Sequence, residues 1–493
     1  MLDEDTFYLL NHSGSISNLG WTETNETRAY SKLWRYNQHY FDDLNALNHE
    51  SRSQWHSALL QRWVKENEPG FGVGWDPYPT SLRIVNWVKW SYADNLLAAN
   101  CAQSLAVQAR FLMKRIEWHI LGNHLFANAK ALIFAGLFFS GNEADQWLQK
   151  GLKIVSDELA EQVLADGGNF ERSPMYHAIF LEDLLDVLNL AQVFPDEMSN
   201  VNLTHWCEVA KSMLYWLRGM THPDGEISFF NDAAIGIAPS PAELNAYASR
   251  LGLKADSIDA RITHFADSGY VRLSSSNALA LLDVAPLGPD YLPGHAHADT
   301  LSFELSLFGQ RVFVNGGTSK YGVDEVREIE RSTAAHNTVV VDGENSSEVW
   351  DGFRVARRAY PRNLVIDETP DLVSVSCAHD GYCRLSGKLI HLRKWEFSYS
   401  ELIVSDNVSG VFESAIAHFH VHPDISISAN AEGCWTLQLP KGQKVYVIVE
   451  TGDSNWSPSF YAPEFGKRLE TQCLKVALSK EGARVAINWS SSD

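Results

Sequence analysis

The pattern of apolar and polar positions changes near residue 258. From residue 31 to about residue 253, apolar residues recur every three or four positions, a spacing that predicts amphipathic helices. Short runs of Asp, Gly and Pro separate them. The predicted helices cover residues 83–90, 95–121, 124–140, 144–165, 178–193 and 202–220. Helices joined by short connections over such a length indicate helix pairs in a toroid or solenoid.

After Pro239 and Pro241 the pattern becomes that of β-strands. From about Ile262, short runs rich in β-branched residues are bounded by turn signals. They include SGYVRLSS, ALALLDVAP, RVFVNGG, NTVVVDG, ELIVSDNVSG and KVYVIVET. Strands this close in sequence pair antiparallel, which predicts a β-sandwich.

The predicted fold class is therefore α+β and multidomain. We expect an irregular lead-in at residues 1–30, a helical domain at 31–258 and an antiparallel β-sandwich at 259–493. A ligand site is expected in the cleft between the two domains, where such sites often form.

Composition and charge limit the possible functions. Of 493 residues, 40 are Lys or Arg and 61 are Asp or Glu, which gives a net charge of −21. Without a basic block, nucleic-acid binding is not expected, although an acidic protein can still hold an anion in a local cationic cleft.

Neither a membrane span nor a signal peptide is visible in the sequence. No apolar run reaches the roughly 18 residues that a span needs. The first residues, MLDEDTFYLL, lack a basic start and an apolar core. The expected location is cytoplasmic if the sequence is full length, and periplasmic or secreted if a signal was removed.

The cysteines and aromatic residues fit ordinary packing. Six scattered cysteines without a CxxC pair predict buried free thiols, with a disulfide in the C-terminal half as the alternative. Aromatic residues, among them Trp75, are concentrated in the first 120 residues. Helix packing explains most of them, and an aromatic-lined carbohydrate cleft is the alternative for a few.

The stretch at residues 292–321 contains the first candidate chemistry. His295 and His297 precede an apolar–polar alternation that predicts a half-buried strand. Residues two apart in a strand share a face, so both imidazoles are expected to point the same way. They are either solvated loop histidines or part of a metal or proton-transfer site.

Two motifs in the helical half carry further candidates. In GNHLFAN, Asn123 is a candidate N-cap, and His124 shares a helix face with Asn128. In DGGNFERSPMYH, a glycine loop delivers polar residues just before a helix that Ser173-Pro174 would start, and Tyr176 follows. A nearby cation, Arg172, would favour tyrosinate, whereas the alternative is a buried tyrosine that only satisfies its own hydroxyl.

A metal site is the third candidate. His336 immediately precedes a strand and can join His297 in supplying two imidazoles to one cation. Asn315 ends the strand region that begins near His297 and can add an oxygen ligand. Two histidines and an oxygen suit zinc or another first-row cation. Three further histidines in AHFHVHP, residues 418–422, are expected to lie on one face of a sheet as packing residues.

Taken together, these motifs resemble the heparinase II/III superfamily of polysaccharide lyases. The resemblance extends from residue 33 onward. The motifs that carry it are LWRYNQHYFDDLNA, GWDPYPTSLRIVNW, GNHLFANAKAL, DGGNFERSPMYH, GHAHADTLSFEL, VNGGT and AHNTVVVDG. The resemblance implies an incomplete (α/α) toroid followed by an antiparallel β-sandwich, and cleavage of uronate-containing chains by β-elimination.

The resemblance also implies residue roles. Asn123 and His124 would bind and polarise the uronate carboxylate. Tyr176 would be base, acid or both, and His295 would be the alternative base for the opposite C5 epimer. His297 and His336 would hold a divalent ion, with zinc expected and manganese or calcium as alternatives. The predicted substrate-binding residues are Arg172 (inferred from its charge), Asn128, His177, Trp75 and Tyr321.

Two positions depart from the family pattern. Asn315 stands where an aspartate is usual, which weakens the predicted metal site, and Ala127 stands where many relatives have glutamate. We expect a lyase acting on an anionic polysaccharide, a glycosaminoglycan such as heparan sulfate, hyaluronan or chondroitin. The alternatives are an alginate or exopolysaccharide lyase, and a non-catalytic carbohydrate-binding or biosynthesis-associated protein.

Overall fold

The computed structural model describes residues 1–21 and 30–489. Residues 22–29 of the predicted lead-in and residues 490–493 of the predicted sandwich lie outside the described residues. The described chain forms two compact units. Unit 1 comprises residues 1–162 and 182–208, and unit 2 comprises residues 163–181 and 209–493. Residues 163–181 and 209–258, which were predicted to belong to the helical domain, are thus part of unit 2.

Helices dominate the first half of the chain. They are α1 (Ile16–Leu19), α2 (Lys32–Gln38), α3 (Ser53–Glu66), α4 (Pro77–Tyr92), α5 (Ala99–Met113), α6 (Gly122–Phe138), α7 (Asn142–Gln162), α8 (Pro174–Val193), α9 (Leu203–Gly219), α10 (Pro241–Arg250) and, later in the chain, α11 (Glu325–Arg331). Four predicted helices agree with α6 to α9 within a few residues, whereas α5 ends well before residue 121. None of the helices among the described residues combines the length and apolarity that a membrane span needs.

Strands dominate the second half. They are β1 (Thr6–Leu9), β2 (His12–Ser15), β3 (Ile262–Phe265), β4 (Tyr270–Ser274), β5 (Ala278–Asp283), β6 (Phe303–Leu307), β7 (Gln310–Phe313), β8 (Val339–Val341), β9 (Val349–Trp350), β10 (Arg354–Val355), β11 (Pro361–Glu368), β12 (Val373–His379), β13 (Ile390–Phe397), β14 (Glu401–Ser409), β15 (Ala415–His420), β16 (Ser426–Ala431), β17 (Cys434–Gln438), β18 (Lys444–Thr451), β19 (Asp453–Glu464), β20 (Lys467–Ala477) and β21 (Ala483–Trp489). The predicted irregular lead-in therefore contains the hairpin β1–β2 and one helical turn.

Three antiparallel sheets share one apolar core in unit 2. Their strand orders are β3-β4-β5-β6-β7, β19-β20-β15-β8 and β11-β12-β13-β14-β21-β18-β17-β16. Buried Leu305, Phe419 and Val375, one from each sheet, belong to the same core cluster. The prediction of helices followed by antiparallel sheets is correct because each strand supplies apolar residues to this core.

Strand β6 is buried on both faces, not half-buried as predicted. Glu304 and Ser306 point away from the apolar face but are also buried. Both bind His222, through Glu304 Oε2 to Nε2 at 2.8 Å and through Ser306 Oγ to Nδ1 at 2.8 Å. Because a buried histidine satisfies these polar groups, a strand with alternating polarity can lie entirely inside the protein.

The core of unit 1 is aromatic, and Trp75 belongs to it. Trp63 packs against Trp87 and Trp75 with ring centroids 5.7 and 5.8 Å apart. The Arg83 guanidinium lies 3.9 Å from the centre of the Trp63 ring and donates to the Gly74 carbonyl at 2.8 Å. Trp75 is only 2% exposed, so its predicted role in substrate binding is not supported.

The remaining packing predictions agree with the structure in part. All six cysteines are free, as predicted, but only Cys101, Cys377 and Cys473 are buried, and the other three are partly or fully exposed. His418 and His420 are buried on β15, and the His420 ring bonds the Ser459 hydroxyl and the Ala334 carbonyl, each at 2.9 Å. These histidines therefore act as satisfied packing residues of the sheet.

Candidate active site

The candidate active site of unit 2 is organised around Asp232, a fully buried carboxylate. Arg327 pairs with both oxygens, with its Nη2 2.7 Å from Oδ2. His295 Nδ1 lies 2.9 Å from Oδ2, and His297 Nε2 lies 2.8 Å from Oδ1. Burial alone would raise the pKa of Asp232, but Arg327 and the two histidines outweigh it and hold this pKa well below its ordinary value. Asp232 is therefore a carboxylate anion that orients both imidazoles.

A left-handed residue, Asn231, places Asp232 in this position. Its φ is 56°, which asparagine tolerates better than most residues. Its backbone N–H donates to Asp299 Oδ2 at 3.0 Å, and its side-chain oxygen accepts from the His297 N–H at 3.0 Å. The loop carrying His297 is thereby tied to the loop carrying Asp232. The prediction used strand geometry for the two histidines, but they precede the strand, since β6 begins only at Phe303. Both side chains still contact one carboxylate, that of Asp232.

Tyr176 lies in the first turn of α8 and packs on His295. The two ring centroids are 3.8 Å apart, and the Tyr176 hydroxyl is 2.8 Å from the Tyr321 hydroxyl. Burial, followed by Tyr321 and Asp232, raises the pKa of Tyr176 well above 10. The phenol is therefore protonated, and the expectation of a tyrosinate favoured by Arg172 is wrong.

Arg172 is turned away from this cluster. Its φ is 58°, and its guanidinium donates to the Ser268 carbonyl at 2.9 Å and to the Phe170 carbonyl at 3.3 Å. Because these bonds bury the side chain, Arg172 anchors the glycine loop to the turn between β3 and β4, and a substrate-binding role is not supported.

His177 also serves the loop and not a ligand. It is fully buried, its Nε2 lies 2.9 Å from the Met213 carbonyl, and its Nδ1 accepts from the Asn169 N–H at 3.2 Å. Burial lowers the pKa of His177 to about 3, so the ring is neutral. Its predicted contact with substrate is therefore not supported.

The hairpin of β9 and β10 packs against the same cluster. Phe353 at its tip lies 6.0 Å from the His295 ring and 5.2 Å from the Tyr321 ring, centroid to centroid. The Gly352 carbonyl accepts from Arg327 Nε at 3.1 Å. Gly352 has a φ of 68°, and a Cβ there would lie 2.6 Å from the Gly322 carbonyl oxygen, so this tip requires glycine.

The predicted metal ligands fit a cation only in part. His297 Nδ1 lies 3.2 Å from His336 Nε2, close to the roughly 3.3 Å that separates two nitrogens on a tetrahedral zinc. Asp232 on the other nitrogen of His297 is the usual partner of a metal-binding histidine. Asn315 is different, because its oxygen accepts from the Asn337 N–H at 3.2 Å. Among the described residues no three His, Cys, Asp or Glu side chains form a metal-binding group.

Unit 1 contains a second cluster, built from Asn123 and His124 at the start of α6. Asn123 is not the N-cap, because α6 begins at Gly122 after Leu121. The His124 ring packs on Tyr78 with centroids 4.3 Å apart. Burial raises the pKa of Tyr78, and a hydrogen bond from Asn123 opposes this shift in part. Asn123 and His124 are both partly exposed, and both contact Tyr78.

Asn128 contacts this second cluster through Glu117. It is fully buried, accepts from the Glu117 N–H at 2.9 Å and donates to Glu117 Oε2 at 3.1 Å. Glu117 in turn lies 3.2 Å from His124 Nδ1. Asn128 thus positions the partner of His124, and the predicted direct contact with substrate is not supported.

Sequence reasoning missed Asp232, Arg327, Tyr78 and Glu117. Asp232 and Arg327 are 95 residues apart, and no local motif marks either as a partner of His295. Glu117 stands in the predicted helix 95–121, and Tyr78 precedes the predicted helix 83–90 in a motif that gave it no role in the site. One sequence feature could have indicated Asp232. It follows the mainly apolar run ISFF with only Asn231 between, which indicates a carboxylate close to buried residues.

Two family models match the chain over most of its length. The model described as "Heparinase II/III N-terminus" matches residues 86–249, and "Heparinase II/III-like, C-terminal" matches residues 258–490. The chain belongs to the heparinase II/III family. The predicted resemblance is thereby confirmed.

The curated relatives of this heparinase II/III family member share about a quarter of their residues with it over the matched region. A heparin-sulfate lyase of Bacteroides stercoris is 26% identical over 268 residues, which cover 50% of this chain and 40% of that protein. A heparin-sulfate lyase of Pedobacter heparinus is 25% identical over 252 residues, covering 45% of this chain and 36% of that protein. The matched region thus spans less than half of the length of these relatives.

Solved structures support the fold. A crystal structure of heparinase III superposes with a TM-score of 0.79 at 17% identity, over 96% of this chain and 80% of that chain. A heparan sulfate lyase mutant from Pedobacter heparinus gives a TM-score of 0.68 at 18% identity, over 98% of this chain and 80% of that chain. The predicted fold class, helices followed by antiparallel sheets, is confirmed.

Proposed function

We propose that this chain is a polysaccharide lyase that cleaves a glycosaminoglycan by β-elimination. The observation that carries the proposal is the contact between a protonated phenol, Tyr176, and an imidazole, His295, whose Nδ1 faces the Asp232 anion. An acid and a base side by side are what an elimination needs when it removes one proton and delivers another. Relatives named heparin-sulfate lyases support heparan sulfate as the first substrate to test.

The base in this proposal is His295. In this proposal the Nδ1–H is donated to Asp232, and Nε2, which lies 3.8 Å from Glu171 Oε2, carries the lone pair. The His295 side chain is 16% exposed, whereas Asp232 has no exposed surface, so only the imidazole can meet a ligand. His295 Nε2 would take the C5 proton of the uronate, and Asp232 would stabilise the imidazolium that forms.

The acid in this proposal is Tyr176. Its raised pKa keeps the phenol protonated until the bond between C4 and the bridging oxygen breaks. The leaving oxygen then takes the phenolic proton while a double bond forms between C4 and C5. Tyr321, whose hydroxyl is 2.8 Å away, would stabilise the phenolate, and the proton on His295 would return to it after release.

The carboxylate of the uronate needs its own partner, because elimination moves charge into it. The family resemblance assigns this role to Asn123 and His124, and their partial exposure beside Tyr78 fits a polar contact. This role stays a prediction, and Asn123→Ala tests it through kcat on the same substrate.

A divalent cation between His297 and His336 stays part of the proposal. Such an ion would supply positive charge and fix the two rings. The elimination above uses only residues of this chain and takes no step through a cation. A ligand role for Asn315 stays a prediction, since its oxygen already accepts a backbone bond.

The experiment is a panel of uronate polymers: heparan sulfate, chondroitin, hyaluronan and alginate. Product with an unsaturated uronate absorbs in the ultraviolet, so its appearance measures elimination directly. Tyr176→Phe should abolish the signal, and Tyr446→Phe, a change on a 40% exposed ring of β18, should not. A folded protein that yields no unsaturated product from any polymer would refute the lyase proposal.

A further inference from the structure

An arginine-lined cavity lies at the start of β11. Its volume is about 430 Å³, and it is lined by Ala356, Arg357, Arg358, Tyr360, Arg362, Asp380, Gly381 and Arg384. Four of the eight lining residues are arginines and one is a carboxylate, in a chain whose net charge is −21. The side chains that line this cavity are therefore mainly cationic, whereas the protein as a whole is acidic.

Carboxylates hold the exposed arginines in fixed orientations. Arg357 Nε and Nη2 lie 2.7 and 2.5 Å from the two oxygens of Glu348. Arg362 pairs through Nε and Nη2 with Asp380. Neither pair uses Nη1, for which the described residues provide no partner. A guanidinium that is already ordered loses little entropy when it binds an anion through its remaining N–H groups.

Arg384 and Arg358 supply the inner charge of the cavity. The Arg384 side chain is 7% exposed and donates to the backbone carbonyls of Ser346, Gly381 and Asn345. Its guanidinium also lies 3.7 Å from Glu344 Oε2 and 4.0 Å from Glu348 Oε1. Arg358 Nη1 lies 2.8 Å from Asp290 Oδ1. Because the nearby acids balance much of the charge, recognition here would depend on guanidinium geometry more than on net charge.

Two chain segments connect the cavity with the candidate active site. Arg358 contacts Asp290 at one end, and Phe353 contacts His295 at the other. The two contacts are five positions apart on each segment, so the ends are at most about 18 Å apart along the chain. Tyr360, 42% exposed, lies at the cavity end, and Phe353, 40% exposed, at the other, and such rings suit contact with sugar faces.

We propose that this cavity is a distal subsite that binds a sulfate or carboxylate group of the polysaccharide, away from the bond that is cleaved. The inference rests on the proposed function for the identity of the polymer. It adds a site formed by Arg357, Arg358, Arg362 and Arg384, none of which belongs to the acid–base cluster.

The test measures heparan sulfate binding in a Tyr176→Phe background, in which no cleavage interferes. Arg357→Gln combined with Arg362→Gln should weaken binding at least about tenfold, because two charge-assisted contacts are lost. Both side chains are mostly exposed, at 67% and 57%, so the fold should tolerate the change. The matched control, Arg110→Gln with Arg484→Gln, removes the same charge from two other carboxylate-paired arginines and should bind normally.

Two polymers separate the possible anions. If chemically desulfated heparan sulfate loses the dependence on Arg357 and Arg362, the group bound is a sulfate, and if it keeps the dependence, a carboxylate. In the active protein, the double variant should raise KM for long chains more than it lowers kcat.

Unchanged binding in the double variant, or an equal loss in the control, would overturn the subsite. The lyase proposal fails independently if no polymer gives unsaturated product, and an arginine-dependent loss of binding would then still support the subsite.

Discussion

Two clusters in unit 2 each combine an aspartate, an arginine and two histidines in the same order. In the first, which we name the open cluster, Arg327 pairs with Asp232, which bonds His297, which faces His336. In the second, the closed cluster, Arg393 pairs with Asp406, which bonds His391, which faces His379. The distances between the facing imidazole nitrogens are 3.2 and 3.1 Å.

The closed cluster ends inside the protein. His379 Nδ1 accepts from the Gly381 N–H at 3.1 Å, so its proton lies on Nε2 and is donated to His391 Nδ1. His391 then donates through Nε2 to Asp406 at 2.7 Å. Every polar atom of both rings has a partner, and the residues lie on β12, β13 and β14. This cluster therefore cross-links three strands, and neither imidazole has a ring nitrogen left to bind a ligand or transfer a proton.

The open cluster is unsatisfied at one end and branches at the other. His336 Nδ1 is buried and makes no hydrogen bond of normal geometry with the described residues. Asp232 uses its second oxygen for His295, which is partly exposed. The two clusters thus contain the same residue types, and what separates a structural network from a candidate site is whether its hydrogen bonds all end inside the protein.

The largest expected effect separates the two aspartates. Asp232→Asn should lower kcat by on the order of 10²–10⁴-fold, because His295 loses the anion that orients it and stabilises its imidazolium. Asp406→Asn should leave the kcat of the folded protein unchanged. The measurement is the unsaturated-uronate assay on protein whose circular dichroism matches the parent. Equal losses of kcat in both variants would contradict a specific catalytic role for the open cluster.

The next effect concerns stability. Arg393→Met leaves the Asp406 carboxylate buried without its cation, which should reduce the free energy of unfolding by about 3–5 kcal/mol. Arg327→Met should cost a similar amount in the open cluster and also lower kcat. Denaturant unfolding and calorimetry measure both, with Arg484→Met, on a 37% exposed side chain, as the control expected to change little. A loss of activity after Arg393→Met without a loss of stability would contradict the structural role.

Metal content tests the two facing histidine pairs. Elemental analysis of protein purified without chelator should find about one divalent ion per chain. His336→Ala should remove it, whereas His379→Ala should not, since the closed pair shares a proton between its rings. A chelator should then lower the Tm of the parent but not that of His336→Ala. Absence of metal in the parent protein would leave the open pair as an ordinary hydrogen bond.

The smallest effect is the pH dependence of stability. Burial lowers the pKa of both His379 and His391 below 6.5, and the hydrogen bond to Asp406 opposes the shift of His391 only in part. Between these lowered values and about 6.5 the unfolded chain binds more protons than the folded chain. The contribution of these two histidines to the free energy of unfolding should therefore be complete above about pH 6.5. It should fall as the pH decreases below that value.

His379→Gln removes one of these groups. It should reduce the acid slope by up to about 1.4 kcal/mol per pH unit, measured by urea unfolding at several pH values. An unchanged slope would mean that His379 is protonated in the folded protein, which the Gly381 bond to Nδ1 does not allow.

The sequence alone determined the order of helices and sheets, the family, and the positions of Tyr176 and His295. These features depend on local spacing: period-three-and-four apolar patterns, β-branched runs and short motifs that are continuous in the chain. The pairing of His297 with His336 also followed, because each histidine stands at the edge of a recognisable strand motif.

Only the tertiary structure decided which polar residues carry the candidate chemistry. Arg172 and His177 stand in the same motif as Tyr176, but their side chains bind backbone carbonyls of the loop's surroundings. Asp232 and Arg327 come from distant segments and meet only when the chain folds. The open and closed clusters have the same composition, and the one backbone N–H that completes the closed cluster is fixed by a turn at Gly381. Sequence patterns report which residues are near in the chain, whereas the satisfaction of a buried polar atom depends on residues that are near in space.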